Sequence, residues 1–228
     1  MFILGDARLP LAVRKNLSHY GQFIPFYTRK LVYDAISGHP DIFFCSGDRQ
    51  LVVAPNLPEE YLQLLKNNGI SFQTGNLPAE NRYPHTARYN AVITSDFIIH
   101  HPQITDKRIL ETFTDKKLIA VKQGYVRCNL LHLKEDLFIT SDKGIEKALK
   151  KEGLQPEYFS PEGIVLPGFS HGFLGGCLGL YENKILITGS LSHYPEGDKL
   201  KQFIQKKGFQ PVELYDGPLF DGGGLLLL

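Results

Sequence analysis

Tryptophan is absent from this chain of 228 residues, methionine occurs once and cysteine three times. Three cysteines without paired spacing, and with no Cys-x-x-Cys, do not make a disulfide framework. Neither sign of charge is in excess: 25 Lys and Arg against 24 Asp and Glu leave +1. Nucleic-acid binders concentrate many basic residues on one face, so a nucleic-acid partner is not expected. The lysines at 147, 150 and 151, and at 201, 206 and 207, read as solvated helix ends. No stretch approaches the ~20 apolar residues of a membrane helix, and Met1 to Asp6 has no basic leader pattern. The expectation is a reducing, cytoplasmic setting without a membrane partner. A Gly-x-Ser-x-Gly elbow is missing. Gly222-Gly223-Gly224 precedes neither Lys-Ser/Thr nor a helix, so it is no phosphate loop. His100 and His101 are neighbours in a strand pattern and point to opposite faces, which argues against a metal pair. Neither a metal nor a cofactor is expected.

The chain does contain a recurring unit of strand, strand, helix and strand. It is clearest over 171–215, where hydrophobic runs at 178–181 and 185–188 flank the polar turn Glu182-Asn183-Lys184. Two such runs joined by a short turn read as a hairpin. A helical pattern over 198–207 stops at Gly208, and 209–214 reads as the closing strand. A copy over 39–75 has strands at 42–45 and 51–54, a helix at 58–66 and a return strand at 70–72. Tyr61, Leu62, Leu64 and Leu65 form that helix's apolar stripe. The copy over 86–122 has strands at 91–93, 97–99 and 118–121, with a helix near 105–113. The copy over 126–160 has strands at 130–133 and 137–139, then a helix capped at Asp142 and stopped at Gly153.

The two ends are incomplete in complementary ways. Residues 1–30 hold a strand and a helix but lack the first strand of the unit, while 221–228 supply an opening and one strand, 225–228. Together they make a fifth module. The expected fold is a single α/β domain over 1–228, five modules in a ring closed by pairing of the N- and C-terminal strands. Closure removes the exposed edge that a strand of four leucines would otherwise present.

Five such units in a ring resemble the pentein fold, the α/β-propeller of the guanidine-modifying enzymes (arginine deiminases, dimethylarginine hydrolases, amidinotransferases) and of the ribosome anti-association factor. Gly175-Gly176-Cys177 before a hairpin is similar to the glycine-glycine-aspartate opening of the enzymes, and Asp221-Gly222-Gly223-Gly224 to their glycine-rich approach to the nucleophile. The resemblance implies a small molecule in the central channel, of guanidinium or amidine type, attacked by a cysteine thiolate. It also leaves a non-catalytic binding protein of the ribosome-factor type as the alternative.

The openings converge on the channel in such a ring, and aligning them on the hairpins gives the candidates. The position before the first strand holds Asp41, Asn90, Asn129, Cys177 and Gly224, with His39, Tyr83, His85, Arg88, Arg127, Cys128, His171 and Asp221 leading in. Cys177 is the candidate nucleophile, and His171 or His85 the base. Asp41 and Asp221 are the anionic clamp, since guanidinium presents a planar fork of donors. His39, Arg88, Asn90, Arg127 and Asn129 complete the candidate lining. Two departures from the resemblance stand out. The place where the family's nucleophile would sit holds Gly224 and four leucines, and Cys177 replaces the aspartate of the glycine-glycine-aspartate opening. Cys45 reads as core within a strand. Cys128 reads as buried, although Arg127 beside it would favour a thiolate.

Overall fold

A computed structural model describes residues 1–228, and its order of elements follows the repeat. The first segment has β1 (Phe2–Asp6), α1 (Leu11–Leu17) and β2 (Gln22–Phe26). The second has β3 (Phe44–Gly47), β4 (Gln50–Val53), α2 (Glu59–Asn67) and β5 (Gln73–Thr74). The third has β6 (Val92–Ile93), β7 (Phe97–His100), α3 (Lys107–Thr112) and β8 (Lys117–Ala120). The fourth opens on a short helix, α4 (Val126–Asn129), followed by β9 (Leu130–Lys134), β10 (Leu137–Thr140), α5 (Lys143–Lys151) and β11 (Gln155–Tyr158). The fifth has β12 (Leu178–Tyr181), β13 (Lys184–Ile187), α6 (Gly197–Lys206) and β14 (Gln210–Glu213), and the chain ends in β15 (Leu226–Leu227).

These strands form five three-stranded sheets. In four of them a hairpin pairs the first two strands antiparallel, and the strand after the helix returns parallel to the second. The remaining sheet has the same pattern with its first strand supplied from the other end of the chain. β15 lies antiparallel to β1, with Leu4 opposite Leu226 and Ile3 opposite Leu227, and β2 lies parallel to β1. The N- and C-terminal strands therefore share a sheet, as the incomplete ends require.

Helices fill the wedges between neighbouring sheets. Ile145 and Leu149 of α5 pack with Val92 and Ile99 from the third sheet and Phe138 from the fourth. Val13 and Leu17 of α1 pack with Ile3, Leu225 and Leu186, which joins the first sheet to the fifth. The Asp142 side chain caps α5 by accepting from Ile145 N–H at 2.8 Å, and Gly69, Gly153 and Gly208 take positive φ at the stops read from the sequence.

Two strands move by two residues or more, while other strand boundaries shift by about one. The first strand of the second sheet is 44–47 rather than 42–45, because Pro40–Ile42 is a single 3-10 turn. The return strand is 73–74 rather than 70–72. On α2 the structure buries Tyr61 and Leu65, while Leu62 and Leu64 are half-buried. No helix is long and apolar enough to cross a membrane.

The first strands of all five sheets line one central cavity of about 240 Å³, with Phe44, Val92, Leu131, Leu180 and Leu226 among its walls. Asp41, Arg127 and Gly223 are its polar lining at the end where these strands begin.

Candidate functional site

Each opening is a tight turn, so its polar residues are held by backbone rather than by long side-chain reach. Cys128 sits on α4, one residue before its end, and is 2% exposed. Its Sγ donates to Asp41 Oδ2 at 2.9 Å. Asn90 ties the two openings together. Its Nδ2 donates to the Asp41 carbonyl at 3.1 Å and to Cys128 Sγ at 3.5 Å. Its Oδ1 accepts from the N–H groups of Arg127 (2.7 Å) and Cys128 (3.2 Å).

His39 completes this group from the residue before the Pro40–Ile42 turn. It is 1% exposed, and neither ring nitrogen makes a well-aligned hydrogen bond, although the Asp221 backbone lies against the ring and Asp6 Oδ2 is 4.0 Å from Nε2. Asp41 Oδ1 is likewise without a well-aligned partner. Gly223 is what lets the C-terminal segment pass so close. Its φ is +72°, and a Cβ there would overlap His39 and stand 2.8 Å from Asp41 Oδ1. Asp221 accepts from the N–H groups of Phe173 (2.8 Å) and Gly223 (3.0 Å). The Arg127 guanidinium donates to the carbonyls of Gly175 (2.9 Å) and Leu178 (3.3 Å).

Burial dominates the electrostatics. It pushes the Asp41 carboxyl up to about 6, against the opposing pull of the Cys128 hydrogen bond and the Arg127 charge. It pushes the Cys128 thiol well above its usual range, and the charges of Asp41 and Asp221 add to that. It also lowers His39, against the charges of Asp221 and Asp6, and raises Asp221. Asp6 is matched by Arg8, whose Nε donates to it at 2.9 Å. The charges left to act on Cys128 are one positive, Arg127, and two negative, Asp41 and Asp221. The formal balance of −1 suits a monovalent cation.

The structure brings together five of the sequence candidates, His39, Asp41, Asn90, Arg127 and Asp221, and sets the others apart. Cys177 is fully buried in an apolar cluster with Leu131 and Leu178. Its Sγ donates to the Phe173 carbonyl at 3.4 Å, and burial followed by the Asp221 charge holds the thiol well above its usual range. No histidine bonds to it. The His171 ring donates from Nδ1 to the Gly172 carbonyl at 2.9 Å. His85 and Arg88 both engage Glu80, at 3.3 and 2.8 Å. Asn129 supports its own turn, donating to the Tyr125 carbonyl and accepting from Ser141. Cys45 is core, its thiol pushed up to about 12 by burial.

Cys128, a buried lead-in residue in the sequence reading, stands one step before the aligned position. The carbonyls of Asn129 and Cys177 accept from Ser141 and Thr188, so these two residues are equivalent. The carbonyls of His100, Thr140 and Ile187 accept from Val121, Phe159 and Leu214. The Val92–Ile99 register carried one step puts Ala91 opposite His100, as Leu130 is opposite Thr140 and Leu178 opposite Ile187, so Asn90 is the counterpart of Asn129 and Cys177, as aligned. Cys128 and Gly176 lie one step earlier in that frame.

The neighbouring histidines at 100 and 101 bond to different groups. His100 is fully buried, with Nε2 donating to the Gly124 carbonyl at 3.0 Å and Nδ1 at 2.8 Å from Thr105 Oγ1. Burial lowers its pKa to about 4. A base whose folded pKa is depressed stabilises the fold above its unfolded pKa, and that contribution is lost as pH falls from about 6.5 toward 4. Between pH 7 and pH 4.5 the loss from this residue is about 2 kcal/mol. His100→Gln keeps a donor for Gly124 and removes the titration. Urea unfolding of the variant at the two pH values should therefore show a loss of stability smaller than wild type by about that amount, and parallel profiles would refute the assignment.

Comparison with known proteins gives a consistent result. The sequence model of a family described as "Family of unknown function (DUF6873)" matches residues 4–226. No curated protein matches the chain in sequence. Among solved structures, SxtG, an amidinotransferase from Microseira wollei in the saxitoxin biosynthetic pathway, superposes with a TM-score of 0.58 at 11% identity, covering 92% of this chain and 87% of that one. DDAH from Pseudomonas aeruginosa, a cysteine-to-serine mutant complexed with citrulline, gives 0.54 at 6% identity, covering 93% and 91%. Inosamine-phosphate amidinotransferase from Streptomyces griseus gives 0.54 at 11% identity, covering 96% and 80%. These are pentein-superfamily folds, and the five ββαβ sheets described above are the same fold.

Proposed function

Since this chain belongs to the family of unknown function DUF6873, and has the pentein fold, we propose that Cys128 and Asp41 form the thiol site of a guanidino- or amidino-group hydrolase or transferase. The observation that carries this reading is the 2.9 Å bond from Cys128 Sγ to Asp41 Oδ2, beside His39, with Asp41 lining the channel in front of the thiol. The fold neighbours support the substrate class: two are amidinotransferases and one holds citrulline.

Each group has a role that its position allows. An amidinium cation at Asp41 and Asp221 neutralises the carboxylates that hold the thiol proton in place, so the substrate itself favours the thiolate. Sγ attacks the amidinium carbon while its proton passes to Asp41 Oδ2. The C–N bond then breaks, and that proton leaves with the departing amine. Water or an acceptor amine attacks the sulfur-bound amidine carbon, its proton goes to His39, and the thiolate is released. Arg127 and Asn90 hold the Cys128 turn in place. Cys177 takes no part.

The test compares two electrophiles of nearly equal shape, chloroacetamidine, a cation, and neutral chloroacetamide. A charge contact of about 1–4 kcal/mol predicts about 5- to 1,000-fold faster alkylation of Cys128 by the cation. Peptide mapping after limited labelling reads the site, and Asp41→Asn should remove most of the preference. Equal rates for the two reagents, or no label at Cys128 in the folded protein, would overturn the proposal and leave a non-catalytic scaffold.

A further inference from the structure

The unengaged atoms beside Cys128 point to a second chemistry. A buried imidazole ordinarily hydrogen-bonds through at least one nitrogen, and leaving a buried polar atom unpaired costs about 1–3 kcal/mol. Neither His39 nitrogen makes a well-aligned hydrogen bond, with only the Asp221 backbone and Asp6 near the ring, and Asp41 Oδ1 lacks one too, side by side in the interior. One ligand atom each from His39, Asp41 and Cys128 lies within 4.8 Å of the other two. From these placements we infer that His39, Asp41 and Cys128 form a binding site for Zn²⁺.

The donor set selects the ion. Thiolate and imidazole suit zinc, whereas Mg²⁺ and Ca²⁺ require oxygen ligands. Tetrahedral zinc with bonds of about 2.0–2.3 Å places its ligands roughly 3.4–3.6 Å apart. The observed separations, from 2.9 Å for the Cys128–Asp41 pair to at most 4.8 Å within the group, bracket that spacing. On binding, the thiol proton is released to solvent and a sulfur–zinc bond takes its place. The thiolate and the Asp41 carboxylate then balance the two positive charges. An outer carboxylate is at hand, since Asp6 Oδ2 stands 4.0 Å from His39 Nε2. Asp41 also lines the channel, so the ion enters from there and keeps its fourth position toward it. Three protein ligands with one open position is the arrangement of zinc sites that retain an exchangeable ligand.

The placement of the three side chains carries this site independently of any amidine chemistry. Its consequence, that zinc silences the thiol, rests on the function proposed above. The full-length protein, stripped with chelator, is titrated with Zn²⁺ against a chromogenic chelator in the absence of substrate. One ion per chain is expected, with affinity reduced at least about 100-fold in Cys128→Ser and in His39→Gln. Cys45→Ala should bind as wild type. Should a variant fail to fold, Co²⁺ added to the wild-type protein gives the same information. A sulfur-to-cobalt charge-transfer band with intense visible bands marks a four-coordinate thiolate site. Absence of that band, no zinc retained against the chelator, or zinc binding unchanged by Cys128→Ser would each overturn the inference. The chloroacetamidine test is run in chelator, so either result can fail while the other stands.

Discussion

Deleting residues 225–228 yields a chain that does not unfold cooperatively at 25 °C, because it never completes its first sheet. β15 is the antiparallel partner of β1, and Phe2 and Leu228 exchange both backbone hydrogen bonds, at 2.7 and 2.9 Å. Leu225 is buried against Ile3, Leu9, Val13 and Leu186. Leu226 and Leu228 cover the cluster that contains Leu4 and Phe26. A fully buried leucine contributes about 1.5–3 kcal/mol, so one buried and three half-buried leucines contribute about 5–7 kcal/mol. Typical domains are stable by only about 5–15 kcal/mol. The truncation also exposes the β1 edge as a template for pairing between chains. Circular dichroism melting and size-exclusion chromatography check the result. A truncated monomer that melts cooperatively at the wild-type temperature would show that the terminal strand is dispensable and the five-sheet closure unnecessary.

The closure was legible in the sequence because it rests on counting. One end lacks a first strand, the other has a strand with no helix to follow, and hydrophobic runs mark both. The helices were legible for the same reason: Asp142 caps α5 and glycines stop it, α2 and α6. The site was half legible. His39, Asp41, Asn90, Arg127 and Asp221 were found because a module opening carries few polar residues. Cys128 and Cys177 were harder to separate, since both precede a hairpin and both are buried. What distinguishes them is a single step of backbone frame. That step is fixed by which carbonyl accepts from the second strand, as Asn129 does from Ser141 and Cys177 from Thr188. Composition carries no trace of it. Two apparent cues also misled. The histidine six residues before Cys177 turns to the neighbouring Gly172 carbonyl, and of the paired glycines Gly176 makes room for Asp221 and Gly175 for the backbone of the turn that carries Cys128.

Those glycines give the second large effect, Gly176→Ala. A Cβ at Gly176 would overlap Asp221 Oδ1, the oxygen that accepts from Gly223 N–H at 3.0 Å. The carboxylate has little freedom to retreat, because its other oxygen accepts from Phe173 N–H at 2.8 Å. The carbonyl of the same glycine accepts from Gly222 (3.0 Å) and Gly224 (2.8 Å), which lead into β15. One added methyl therefore strains the site and the closing strand together. Overpacking costs about 1–3 kcal/mol, and breaking a hydrogen bond to a buried carboxylate costs about 1.5–3 more, so a loss of about 4 kcal/mol is expected. For a chain of this length that lowers the melting temperature by about 10 °C or more. Gly208→Ala is the control. It sits past α6 at φ +86° with open space around it, so only left-handed backbone strain of about 1–2 kcal/mol applies. The order Gly176→Ala far below Gly208→Ala, with amidine labelling of Cys128 lost only in the first, is the expected outcome. If the two variants melt together, Asp221 is mobile. A mobile Asp221 cannot hold the C-terminal segment against His39 and Asp41.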